Sequence, residues 1–196
     1  MYLGQPALEL DRVRLEVGRL FGADPMTRGS PEIVMSGNAA AIAGLREGDQ
    51  EVNSLHSAIV EYLGRISTSG LVDPLPQRVQ ENLGVANYLD NIADVVATDL
   101  AGEAEQCRSG RLAFPGRVRD SIRDLHITAC EVLSYACRAF SESDSNRAVE
   151  ARERKAGVNT LADAARGAAA QNLPARGSDA LEAFRVATDI IECYSR

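Results

Sequence analysis

The sequence predicts an all-α fold, and three observations predict it. Apolar residues recur every three to four positions along nearly the whole chain, the period of a helix with one buried face. No window of comparable length alternates with a period of two, so strands have no support. The apolar content is also of the kind that helices pack closely: aromatics are only 5% and Trp is absent, which leaves Leu, Ile, Val and Ala to fill the core.

The first stripe is Leu10, Val13, Val17 and Leu20. Pro25, Gly29 and Pro31 then interrupt the pattern, as a kink or as a break between two pieces. The second helix reads from Val52 through Leu55, Ile59 and Leu63 to Ile66, opening in the segment GDQEVNSLH at 48–56. There Asp49 suits an N-cap and Glu51 the first turn. A loop rich in Ser, Gly and Pro follows at 67–76 (STSGLVDPLP). The third stripe is Val79, Leu83, Ala86, Leu89, Ala93, Val96 and Leu100. SGRLAFPG at 109–116 is the best candidate linker. The fourth stripe runs Val118, Ile122, Leu125, Ala129, Leu133, Ala136 and Phe140, and the fifth Val158, Leu161, Ala165 and Ala168. LPARGS at 173–178 closes the fifth, and Leu181, Phe184, Ala187, Ile191 and Tyr194 form the sixth.

The linker divides six helices into three and three. The expected organisation is therefore two tandem antiparallel three-helix bundles, residues 1–110 and 111–196, since short connections favour antiparallel neighbours. An internal repeat fits that division. VANYLDNIAD at 85–94 aligns without gaps with VATDIIECYS at 186–195, and apolar positions coincide at Leu89/Ile190 and Ile92/Cys193.

Charge and cysteine content exclude several classes. The net charge is −7, and no basic run interrupts it, which argues against nucleic acid and against free phosphate as direct ligands. Cys107, Cys130, Cys137 and Cys193 form no CxxC pair, and read as core thiols of a reducing compartment. No stretch approaches the roughly 18 consecutive apolar residues of a membrane span, and the N-terminus lacks a signal-peptide pattern. The chain by itself reads as a soluble domain.

Chemistry-bearing residues concentrate in two places. In NYLDNIAD at 87–94, Asp90 and Asp94 stand four apart, so one helical turn stacks their carboxylates. Two like charges there need a cation, a metal ion or solvent, and oxygen ligands suit hard cations or iron. In the second helix Asp49 and Asn53 share a face and His56 follows a turn later. Asp49, Glu51 and His56 are the supplementary ligands if a metal sits on Asp90 and Asp94. EARERK at 150–155 reads as a solvated face with charges paired at i,i+4. No phosphate-binding loop, zinc-protease or nucleophile-elbow motif occurs, so no catalytic residue and no organic cofactor is expected.

Together these segments resemble the PhoU-like family, and within it the C-terminal cytoplasmic domain of bacterial sodium/phosphate cotransporters. The similar stretches are YLGQPALELDRVRLEVGRL (2–20), REGDQEVNSLHSAIVEYLGRIS (46–67), VANYLDNIADVV (85–96) and, more weakly, FRVATDIIECYSR (184–196). The resemblance implies two tandem three-helix bundles whose third helices carry an ExxxD metal motif. Asp90 stands in place of that motif's Glu, and Asp94 matches. Ile191 and Ser195 stand at the second repeat's positions and supply no carboxylate, while Gln50 and Asn53 replace acidic residues usual in the second helix. If a divalent metal or iron binds, the resemblance puts it at the first repeat only.

The function implied is a regulatory or interaction domain on the cytoplasmic face of the inner membrane, excised from a longer protein. Its partner would be the transmembrane part of the same transporter or a phosphate-signalling protein, and a homodimer is open. Two rival readings are a free-standing PhoU-like regulator of phosphate uptake and a metal-dependent helical-bundle enzyme. Transmembrane segments in the upstream reading frame separate the first rival. The second lacks the ExxH motifs that di-iron bundles use.

Overall fold

The structure, a computed structural model, describes residues 6–22, 31–68, 71–171 and 177–196. It is all-α, with no strand among the described residues. The helices are α1 (Pro6–Gly22), α2 (Pro31–Ser36), α3 (Ala39–Ser67), α4 (Leu75–Asp94), a π-helical segment (Val95–Leu100), α5 (Ala101–Gly110), α6 (Gly116–Glu142), α7 (Ser145–Ala170) and α8 (Gly177–Ser195). No described helix is long and apolar enough to cross a membrane.

The ends of these helices follow local chemistry. Asn38 caps α3: its Oδ1 accepts from the backbone N–H of Ala40 at 2.9 Å and of Ala41 at 3.2 Å. Asp144 caps α7 in the same way, accepting from Asn146 at 3.0 Å and Arg147 at 3.1 Å. Ser143, just before it, ends α6 in the left-handed conformation with φ 54°, so α6 and α7 form a tight antiparallel hairpin. Arg111 ends α5 with φ 49°, which places the break between the first and last groups of helices at 111–115.

Two corrections follow. The second helix opens at Ala39, not near Gly48, because Asn38 is a true N-cap and Ile42 and Leu45 extend the buried stripe one way while Gly48 continues it unseen. Asp49 therefore sits inside α3 and caps nothing, and Glu51 is an exposed mid-helix residue rather than part of a first turn. The other correction concerns two stripe positions. Leu181 is 62% exposed and drops out of the α8 stripe, whose Ala187, Ile191 and Tyr194 are buried as expected and are joined by Val186 and Ile190, while on α6 Cys137 is buried in place of Ala136. Two of the expected breaks lie partly outside the described residues: Pro25 and Gly29 of the first, and 173–176 of the one at 173–178.

Two apolar clusters hold the fold. One joins α1, the C-terminal part of α3, α4 and Cys137 of α6, with Leu10, Leu63, Ile66 and Leu89 among its members. The other joins α2, Ile42 and Leu45 of α3, the π segment, α5, the N-terminal part of α6, α7 and α8, around Leu100, Ile122, Leu125 and Ile190. Three long rods, α3, α4–π–α5 and α6, run through both clusters. The handover on the central rod falls at the π segment: Leu89 and Ala93 belong to the first cluster, Val96 and Leu100 to the second, and Ile92 packs against both. A π turn accommodates an extra residue in the helical ladder and so re-aims the face that follows it. The break at 111–115 is thus a divide of the chain, whereas each cluster draws on helices from both sides of it.

Candidate functional site

α3 and α4 are packed antiparallel neighbours, and their seam brings together most of the residues singled out in the sequence. His56 on α3 donates from Nε2 to Asn87 Oδ1 on α4 at 2.8 Å, and its Nδ1 lies 3.6 Å from Asp90 Oδ1. Two turns toward the start of α3, Asp49 Oδ2 accepts from Asn53 Nδ2 at 2.8 Å. Asp49 also senses Asp94 and Asp90 across the seam. Burial and then the charges of Asp94 and Asp90 push its carboxyl above the ordinary aspartate value, against the opposing effect of Asn53.

The seam leaves polar atoms without partners. Asp49 Oδ1 and Asp90 Oδ1 are both shielded from water and hydrogen-bonded to nothing among the described residues. Each is a shielded carboxylate oxygen without the hydrogen bond such a group needs, and Asp90 Oδ1 has the His56 ring beyond that reach at 3.6 Å. This is the physical content of the stacked-carboxylate pattern: Asp90, half-buried, faces α3, and Asp94, exposed, contributes its charge.

These residues do not complete a metal shell. Among the described residues no three His, Cys, Asp or Glu side chains converge closely enough to hold an ion. His56 donates from one ring nitrogen to Asn87 and turns the other, which carries the lone pair of the neutral ring, toward Asp90 at 3.6 Å. Glu51 lies roughly 200° around α3 from Asp49 at 100° per residue, and it is exposed. In the last helix Ile191, aligned with Asp90, is fully buried in the apolar core. The second half thus has no carboxylate pair at the equivalent place.

Other chemistry-bearing residues have structural surroundings. His126 is buried and stacks edge-on against Tyr194 with ring centroids 4.9 Å apart. Its Nε2 is 3.5 Å from Cys130 Sγ one turn along α6. All four cysteines are free thiols. Burial pushes Cys107 up to about 11 and Cys137 and Cys193 to about 12, so these three are protonated at neutral pH and unsuited to nucleophilic attack. In the segment 150–155, Arg154 stacks on the Tyr135 ring at 4.1 Å and Lys155 Nζ donates to the Ser195 carbonyl at 2.8 Å. Those two cations are engaged across helices, where the sequence had suggested pairing along one face.

Sequence reasoning missed Asn87, the hydrogen-bond partner of His56, although it sits beside the acidic pair in NYLDNIAD. It also missed the π segment, which begins at the residue after Asp94. No family model matches the chain, and no curated protein matches it.

Proposed function

We propose that this chain is a regulatory domain of the PhoU-like type, carried on the cytoplasmic side of a sodium-dependent phosphate transporter and not itself catalytic. One observation supports the reading above the others. Two of the three segments that carry the resemblance, 46–67 and 85–96, form neighbouring helices, and their acidic positions meet at one seam. Residues that matched only as separate strings are thereby joined in a single structural unit.

In this reading transport belongs to the membrane part, and the domain acts through docking of its helical faces. The seam is its responsive element. Uncompensated carboxylate oxygens at Asp49 and Asp90 oppose the packing of α3 on α4, so a change of charge there alters the balance between the two helices. Catalysis has little to build on at this seam: His56 is held by Asn87, and no Ser, Thr or Cys nucleophile is hydrogen-bonded to it among the described residues.

The test is sodium-driven uptake of radiolabelled phosphate by the native gene product, with and without residues 6–196. The expected result is that uptake survives removal of the domain while its response to internal phosphate is lost. Absence of membrane-spanning segments upstream in the native frame would defeat the transporter assignment in favour of a free-standing regulator. Phosphoester or phosphoanhydride turnover by the purified chain, lost on Asp94→Ala, would defeat the regulatory reading altogether.

A further inference from the structure

On the side of the central rod away from the acidic seam, a groove of about 400 Å³ opens between the end of α4, α6, α7 and α8. Its floor is apolar, built from Ile92, Val95, Val132, Leu133 and Val158. Its volume falls within the roughly 300–1,000 Å³ range of pockets that take small organic ligands. Tyr88 stands at the lip, 72% exposed. The first residue of the π segment, Val95, forms part of the wall, and π turns inserted in α-helices are frequent at functional sites.

Two cations border this groove, and they differ. Arg196 is committed to Asp99 and Glu192, each at 3.3 Å. Lys155 is part-buried, donates to the Ser195 carbonyl at 2.8 Å, and takes part in no ion pair among the described residues. Its ammonium has three N–H donors, so two remain for an incoming acceptor. An apolar trough with one uncompensated ammonium at its edge is complementary to an amphiphile with a single negative charge. A doubly charged head would need more than one free cation, and the net charge of −7 opposes it.

We propose that this groove binds a monomeric long-chain carboxylate, with the acyl chain on the apolar floor and the carboxylate on Lys155. The site is independent of the regulatory reading above, since it uses neither the acidic seam nor the resemblance.

The probe is 11-(dansylamino)undecanoic acid, titrated below its critical micelle concentration into the purified chain and followed by dansyl fluorescence. Saturable binding at one per chain is expected, with displacement by dodecanoate. Each methylene removed from the competitor should weaken it about fourfold, the effect of one buried CH₂. Lys155→Gln should weaken dodecanoate about tenfold through loss of a charge-assisted hydrogen bond, leave dodecanol unchanged, and be rescued by Lys155→Arg. Ala136→Trp adds bulk at an exposed groove position and should block both ligands. Lack of saturable binding by the parent chain overturns the proposal. So does dodecanoate binding that is indifferent to Lys155→Gln, or probe binding that survives Ala136→Trp.

Discussion

Gly37 carries a sharp stability prediction. It joins α2 to the Asn38 cap with φ +59°, a left-handed conformation, and its N–H donates to the Val34 carbonyl at 3.2 Å. A Cβ added here would lie 2.6 Å from Arg108 Cβ and 2.8 Å from both Cα and N of the same residue on α5. Backbone atoms of a packed helix cannot swing aside as a side chain would. Gly37→Ala thus incurs about 1–2 kcal/mol for the left-handed conformation and about 1–3 kcal/mol for forced overpacking. A destabilisation of about 3 kcal/mol is expected. With a urea slope of roughly 2 kcal/mol/M, the midpoint should fall by about 1.5 M, read by far-ultraviolet circular dichroism. Gly44→Ala is the control, because a Cβ there meets nothing within 4 Å inside α3. It should stabilise by about 0.5–1 kcal/mol, the ordinary gain of Ala over Gly in a helix. If Gly37→Ala stays within about 0.5 kcal/mol of the parent while Gly44→Ala behaves as stated, the close approach of α2 to α5 is wrong.

Asp49→Asn should stabilise the fold at pH 7 by a few tenths of a kcal/mol, because ionised Asp49 is opposed by burial and by Asp94 and Asp90. The carboxyl is raised in the folded state, so the folded chain binds this proton more tightly and the penalty fades as pH falls through the raised value toward the ordinary 3.8. Thermal melts of the two proteins should converge over that window, and a constant gap from pH 7 down to 4 would refute the assignment. In peptide-mapped iodoacetamide labelling at pH 8, Cys107 should react about 100-fold slower than an ordinary thiol of pKa 9.0, and Cys137 and Cys193 about 1,000-fold slower. Labelling of any of the three at the ordinary rate would show that its burial is misjudged.

Much of the helical content was legible because burial and period agree: Leu10, Val13, Val17 and Leu20 are all buried as one stripe of α1. The start of α3 was hidden for a chemical reason. Its first turns carry Ala and Gly, and Gly48, where the stripe continues, offers no side chain to read. Leu181 misled for the opposite reason: its hydrophobicity fits a stripe that the packing of α8 passes by. Of the candidate site, the shared face of Asp49 and Asn53 and the approach of Asp90 and Asp94 were legible from helical spacing. The closure of His56 onto Asn87 depends on how two helices pair, which one helix's period does not encode. The π segment was invisible because Ala93, Val96 and Leu100 also fit an uninterrupted α-helix.

The through-running rods have a consequence for how the chain assembles. Severed at the 111–115 break, the first part would keep Leu10, Leu63 and Leu89 but lose Cys137 and the flanking Leu133 and Phe140. The second part would keep Ile122, Leu125 and Ile190 but lose Ile42, Leu45, Val96 and Leu100. The first fragment thus keeps nearly all of its buried cluster, whereas the second loses a whole wall of its own. The dependence is one-sided: the second length of chain needs the first to close its interior far more than the first needs the second.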